Sequence, residues 1–279
     1  MNPKPDATLI LAGHGSTKNA DSKKPVFAHA EAIRQRGLFG EVREAFWKER
    51  PYFREALAQM QSDLIYIVPL FISRGYFTET VLPREFGLTG PRTEKENTLI
   101  NYCEPVGTHP FMTQVLLHRA RTVALPHPPD PKTTALFIVG HGTNLNENSS
   151  AIVHEQARII HSMGIYAECH AAFMEEEPFI EKWPAQTNQP NVIVVPFFIS
   201  DGLHSHEGIP ALLGIASQAH AHGFSNPTTL RERTIWYARA IGTEPKIVDL
   251  ILAQIDRFDA MHGPLERSMH TMHADSLKI

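Results

Sequence analysis

The chain has 279 residues, a formal net charge of −4, 42% hydrophobic residues and 20% charged residues, the balance of a globular protein and not of a disordered one. That charge gives no electrostatic reason to expect nucleic acid, and the longest apolar runs, Leu64–Ile72 and Val192–Ile199, fall far short of the roughly 20 residues that span a bilayer. No apolar signal region precedes the first strand-like segment, and two cysteines without a CxxC spacing, Cys103 and Cys169, fit a reducing cytoplasm.

Taken in order, Thr8–Ala12 reads as a strand that runs into Gly13-His14-Gly15, with a helical segment near 23–36. Glu41–Phe46 is the next strand, and Pro51 suits the first turn of the helix expected near 51–61, where a missing N–H costs nothing. Leu64–Phe71, a helix near 77–87, the strand Thr98–Cys103 and a helix near 110–123 complete the series. The segment from Ala124 to Thr134 contains four prolines and reads as an extended, stiff connector.

The series then begins again. Gly13-His14-Gly15 returns 127 residues later as Gly140-His141-Gly142, and Asn19 as Asn146. Ala45-Phe46, Glu49 and Pro51 return as Ala172-Phe173, Glu176 and Pro178, and Phe71-Ile72-Ser73 returns as Phe198-Ile199-Ser200. Past about residue 87 the register slips, so that Val106-Gly107-Thr108 pairs with Ile241-Gly242-Thr243. One offset held through so many Gly, Pro and His positions is the mark of a duplicated unit. The expected division is 1–123, a connector 124–134, 135–258 and a His- and Met-containing tail 259–279, the length allowing two domains each with its own core. Alternating strands and helices, with near-continuous aliphatic strands such as Val192–Val195, predict an α/β protein. Each half is expected to be a doubly wound, four-stranded parallel sheet covered by helices on both faces.

In such sheets ligands bind beyond the carboxyl ends of the strands. In the second half those ends carry His141, Glu175, His204 and His206, drawn from a chain with 16 histidines. Imidazoles with a carboxylate suit a borderline divalent metal such as iron, cobalt, nickel, copper or zinc. Each residue also has a plainer role: His141 bonding its own turn, His204 and His206 at a solvated helix start, Glu175 as favourable charge at a helix N-terminus. The repeat supplies a comparison. At the equivalent first-half positions His14 is kept, but Lys48 answers Glu175, Phe77 answers His204 and Glu79 answers His206. This asymmetry places the chemistry in the second half.

The pieces Gly-His-Gly-Ser/Thr (Gly13–Ser16 and Gly140–Thr143), Ala-Phe-x-Glu…Pro (Ala172, Phe173, Glu175, Pro178) and Pro-x-Phe-x-x-x-Gly-x-His (Pro196, Phe198, Gly202, His204) resemble the class II, ATP-independent chelatases. The likeness is strongest to the CbiX-type sirohydrochlorin cobaltochelatases and covers roughly residues 7–258. It implies two chelatase-like domains facing across a cleft, with His141, Glu175 and His204 carrying over as catalytic and metal-binding residues. His206 is a further candidate ligand outside the basic motif. Co2+, or Fe2+ or Ni2+, enters as a substrate metal with no tightly bound cofactor, and the organic partner is a carboxylate-bearing tetrapyrrole. The first half departs from the pattern and reads as the opposite wall, where His14, Lys48, Arg74 and Arg84 face the macrocycle.

A monomer or homodimer, with no nucleic acid or membrane partner, completes the expectation. Three alternatives remain at this point: ferrochelatase or nickel chelatase activity on the same fold, a metal or tetrapyrrole carrier without turnover, and a histidine phosphatase. The last lacks an arginine before the histidine to hold phosphate, since Gly13 and Gly140 stand there.

Overall fold

The computed structural model describes residues 1–17, 20–58, 62–142, 147–220 and 223–263. In the first half, strands β1 (Lys4–Gly13), β2 (Phe39–Phe46), β3 (Leu64–Pro69), β4 (Arg92–Lys95) and β5 (Thr98–Tyr102) form one sheet in the order β2-β1-β3-β5-β4. In the second, β6 (Thr134–Gly140), β7 (Glu168–Phe173), β8 (Asn191–Pro196), β11 (Thr228–Leu230) and β12 (Arg233–Tyr237) form another in the equivalent order β7-β6-β8-β12-β11. A two-stranded ribbon, β9 (Ala219–His220) with β10 (Gly223–Phe224), lies between β8 and β11 in the chain. The four parallel strands expected in each half are present. A fifth strand, β4 or β11, extends one edge of each sheet antiparallel to its neighbour. These short strands, Arg-Thr-Glu-Lys and Thr-Thr-Leu, lack the aliphatic run that marks a strand buried on both faces, so period and hydrophobicity did not reveal them.

The helices are α1 (Lys24–Arg36), α2 (Phe53–Ala58), α3 (Leu82–Phe86), α4 (Met112–Thr122), α5 (Glu147–Ser162), α6 (Trp183–Gln186), α7 (Ile209–Leu213) and α8 (Ile247–His262). Helices α2 and α3 cover the outer face of the first sheet around Phe53 and Phe86. Helices α6 and α7 do the same for the second around Trp183 and Ile209. The largest core corrects the expectation of one core per domain. It joins Leu9, Leu11 and Val68 to Leu136, Ile138 and Val195 through α1, α4, α5 and α8.

The last helix of each half has crossed over. Helix α4 packs on β8 and α5, and α8 packs on β3 and α1. Polar ties follow the same exchange: Tyr66 donates to Asp259 (2.8 Å), Lys4 pairs with Asp259 (2.6 Å) and Gln254 donates to the Pro105 carbonyl (2.7 Å). Neither sheet is fully covered without a helix from the other half.

Two local expectations change. Pro51 and Pro178 do not sit in a first helical turn. Each follows a cis peptide bond, and its carbonyl accepts from the N–H of Phe46 (2.8 Å) or Phe173 (2.9 Å) at the end of the preceding strand. Each segment is committed to that bridge, so the helical turns begin only at Phe53 and Ile180. The connector is not a straight rod either. It turns at residues 123–126 with Ala124 buried, and Asp130 caps a 3-10 turn at Pro131–Thr133. Proline favours turns as well as extension. Among the described residues no helix is long and apolar enough to cross a membrane. Asn19, Thr143, Asn146 and the tail from residue 264 lie outside the described residues.

Candidate metal centre

In both halves the chain order reverses beside the first strand, between β1 and β3 and between β6 and β8, which opens a crevice at the carboxyl ends of the strands. His141 follows β6 directly. Its neighbour Gly142 holds φ at 77°, and a Cβ there would stand 2.8 Å from Glu176 Cγ, so the turn accepts only glycine. The same holds for Gly15 against Glu49 Cγ at 2.9 Å. Glu49 fixes this loop by accepting from Ser16 N–H (3.0 Å) and pairing with Lys23 (2.9 Å), a structural role for the glutamate of the first repeat.

The His141 ring bonds through Nδ1 to the Gly142 carbonyl at 2.8 Å. A carbonyl only accepts, so Nδ1 carries the proton and Nε2 keeps its lone pair in the neutral ring. The turn-holding role and the ligand role therefore coexist, one on each nitrogen. Nε2 faces Glu175 Oε1 at 3.6 Å. Glu175 is placed there by its own N–H, which donates to the His141 carbonyl (3.0 Å). Two lone-pair groups facing each other are reconciled by a shared proton or a shared cation. Donors that share a metal at about 2.1 Å each stand roughly 3.4 Å apart at the tetrahedral angle.

His204 opens a wide π-helical turn, His204–Gly208, that leads into α7. Such turns recur at functional sites. Its ring stands perpendicular to that of His141 with centroids 4.6 Å apart, and stacks at 6.0 Å on Phe198. Burial holds its pKa below the ordinary histidine value, the neighbouring His141 adds to that, and Glu175 opposes it. At neutral pH His204 thus offers a lone pair. The three residues are gathered without being closed into a shell: among the described residues no three His, Cys, Asp or Glu side chains form a group that would hold an ion as it stands. The Glu175 side chain is 59% exposed.

A cleft of about 670 Å³ lies between the halves, lined by His14, Lys48, Phe71 and Phe77 on one side and Phe198 and His204 on the other. His14 and Lys48 therefore stand where the opposite wall was expected. Arg74 and Arg84, expected on that wall, and His206, expected among the metal ligands, do not line this cleft. His206 is two positions beyond His204 in the same π-helical turn, on its other side, and lines a separate cavity with Asp201, Tyr237 and Arg239. Arg74 pairs with Glu104 at 2.7 Å and lines a third cavity with Thr78 and Glu79. Arg84, on α3, bonds Glu85 beside it.

His170 lies within β7, bonded to Glu168 (2.8 Å) and stacked on Phe137, away from the strand ends. Sequence reasoning overlooked the aromatic lining. Its signal was present, because Phe71-Ile72 and Phe198-Ile199 recur at one offset and all four residues line the cleft.

Comparison with known proteins agrees with this architecture. A Halobacterium salinarum protein named probable sirohydrochlorin cobaltochelatase is 41% identical over 262 residues, covering 88% of this chain and 89% of the relative. The sirohydrochlorin cobaltochelatase of Methanopyrus kandleri is 28% identical over 135 residues, 43% of this chain but 94% of the relative, so that protein has the size of one repeat. Among solved structures, DR2241 from Deinococcus radiodurans, described as similar to chelatases with two additional novel domains, matches with a TM-score of 0.75 and 27% identity. The match covers 89% of this chain, which spans about half (54%) of that protein. SirB from Bacillus subtilis with Fe3+ matches at a TM-score of 0.70 over 91% of this chain and 97% of its own, at 15% identity, a likeness of fold. The model of the CbiX family matches twice, over residues 8–123 and 135–258, and this chain belongs to that family.

Proposed function

We propose that the chain is an ATP-independent chelatase that inserts a divalent metal, Co2+ in the first instance, into sirohydrochlorin or a related tetrapyrrole, as a step towards cobalamin-type cofactors. One observation carries the assignment of residues: the perpendicular imidazoles of His141 and His204, 4.6 Å apart, with Glu175 Oε1 facing His141 Nε2 at the edge of the cleft of about 670 Å³. The name of the Halobacterium salinarum relative supports the reaction.

Sirohydrochlorin and M2+ give the metallated macrocycle and two protons. His141 and His204 hold the arriving ion through neutral nitrogens and then take up protons from the pyrrole N–H groups as the metal leaves them. Glu175 swings between ligand and proton carrier. Phe71, Phe77 and Phe198 supply apolar surface for the ring, and Lys48 meets one of its carboxylates. His206, Arg74 and Arg84 have no part in this scheme. We assign residues 1–123 to the wall and 135–258 to the metal side, joined by 124–134. Two unpaired cysteines, Cys103 and Cys169, are consistent with work in a reducing cytoplasm, as a monomer or homodimer.

The test is an anaerobic absorbance assay with sirohydrochlorin and Co2+, Fe2+ or Ni2+ in turn. His141→Ala is expected to lose at least about tenfold in rate, about 1.4 kcal/mol of transition-state stabilisation. An unchanged rate in a folded variant removes His141 from the mechanism. Metal binding by the wild type without turnover replaces the enzyme with a carrier.

A further inference from the structure

The first half repeats the hydrogen bonds and turns that frame the metal side, while the facing side chains differ. His14 Nδ1 bonds the Gly15 carbonyl at 2.8 Å, as His141 bonds Gly142, so His14 also keeps a bare Nε2 in its neutral form. The Lys48 N–H donates to the His14 carbonyl at 3.1 Å, as Glu175 does to His141 at 3.0 Å. Phe77 opens a π-helical turn, Phe77–Val81, as His204 does. Both turns are pinned alike, by Gly75 N–H to Thr78 Oγ1 and Gly202 N–H to Ser205 Oγ (3.0 Å each), and by tyrosine hydroxyls, Tyr102 to Thr78 O and Tyr237 to Ser205 O (2.7 Å each). The Phe77 ring stands edge-on to His14 with centroids 4.8 Å apart, in the place of the His204 imidazole.

We infer that the first half contains a second divalent-metal site silenced at two positions, Phe77 removing one ligand and Lys48 replacing the carboxylate with a cation that repels the ion. The inference rests on the reading of His141, His204 and Glu175 as metal ligands. Lys48 is then a specificity-determining residue. It limits the chain to one metal, held on one wall of the cleft, and leaves the other wall to the anionic macrocycle. Its charge stands 5.0 Å from the Trp47 ring, which packs on both His14 and Phe77, so the cation and the aromatic surface belong to a single wall.

The experiment counts Co2+ bound to the full chain by anaerobic calorimetry and by metal analysis after dialysis. Wild type binds one ion, and His141→Ala binds it at least about tenfold more weakly. The double variant Lys48→Glu/Phe77→His binds two, and adding His14→Ala returns the count to one. Both substituted side chains lie at the cleft surface. Thermal unfolding checks that the variants fold, and Lys48→Glu/Phe77→Gln, of similar size and without an imidazole, is the control expected to bind one. A folded double variant that still binds one ion, or a second ion that survives His14→Ala, overturns the inference. A wild type that binds none overturns the reading beneath it instead.

Discussion

The two halves share a backbone and differ in what they do with it. Turn, π-helical opening and tyrosine latch are the same to within a tenth of an ångström in hydrogen-bond length, while the facing side chains have separated into His141, Glu175 and His204 on one side and His14, Lys48 and Phe77 on the other. Backbone bonds in a buried turn have few substitutes, since an unpaired N–H or carbonyl is costly. Side chains that project into a cleft carry no such obligation. A duplicated scaffold therefore keeps its frame and redistributes its chemistry, and a position where the halves disagree identifies function only after the frame's own needs are removed.

The frame makes its strictest demand at Gly107 and Gly242, the closing Gly-Thr of each repeat. A Cβ on Gly107 would stand 1.8 Å from the Ile72 carbonyl oxygen, and one on Gly242 would stand 2.1 Å from that of Ile199. Both N–H groups also bond carbonyls of the same loops, Phe71 and Phe198, at 3.0 and 2.9 Å. Neither backbone can yield without losing that bond. Gly107→Ala and Gly242→Ala are each expected to lower stability by about 3 kcal/mol or more, read by chemical denaturation. A loss in one half alone would show that the two frames are not equivalent.

A smaller effect separates two ion pairs of opposite polarity. Arg74 pairs with Glu104, and the repeat places Asp201 with Arg239, both at 2.7 Å. Arg74 and Asp201 occupy equivalent positions of the repeat, so their difference is a charge swap inside one structural pair, and Arg74, expected from the sequence to face the macrocycle, has its partner in Glu104. The burial differs, however. The Asp201 side chain is 6% exposed and also accepts from the Ala240 N–H (2.7 Å), whereas Arg74 is 55% exposed. Asp201→Ala should cost about 2 kcal/mol, because a buried N–H loses its acceptor, and Arg74→Ala less than about 1 kcal/mol. Equal losses would contradict this account of the swap, and a raised KM for the macrocycle in Arg74→Ala would return that residue to the cleft.

Much of this was legible because the repeat acts as an internal alignment. The strand ends, and with them His141, Glu175 and His204, follow from the βα alternation and the recurring Gly-His-Gly. Three things were hidden for definite reasons. The edge strands β4 and β11 are short and polar, so hydrophobic pattern does not mark them. The exchange of α4 and α8 joins residues far apart in sequence, and an amphipathic helix does not record which sheet it covers. His206 was grouped with His204 because sequence proximity resembles spatial proximity, whereas a helical turn sends i and i+2 to different sides.

The smallest expected effect concerns the seam between the halves. His29, on α1, is 4% exposed and bonds through Nε2 to the Gly242 carbonyl across the molecule at 2.7 Å. Its repeat partner is Gln156, which instead accepts from Thr113 Oγ1. Burial depresses the His29 pKa below the ordinary 6.5, against the opposing pull of that bond and of Glu244, a carboxylate that Arg119 holds at 3.1 Å and His118 approaches at 3.5 Å. Below pH about 6.5 the unfolded chain takes up a proton that folded His29 refuses. Its contribution to stability is therefore complete above that pH and falls as pH drops towards the folded value. His29→Gln keeps a donor near the Nε2 position and removes the titration. The variant should be less stable than wild type by no more than about 1 kcal/mol at pH 7.5, and the gap should close or reverse by pH 5.5, measured by urea unfolding at both values. A gap that stays constant with pH would mean that His29 contributes shape to the seam and not charge.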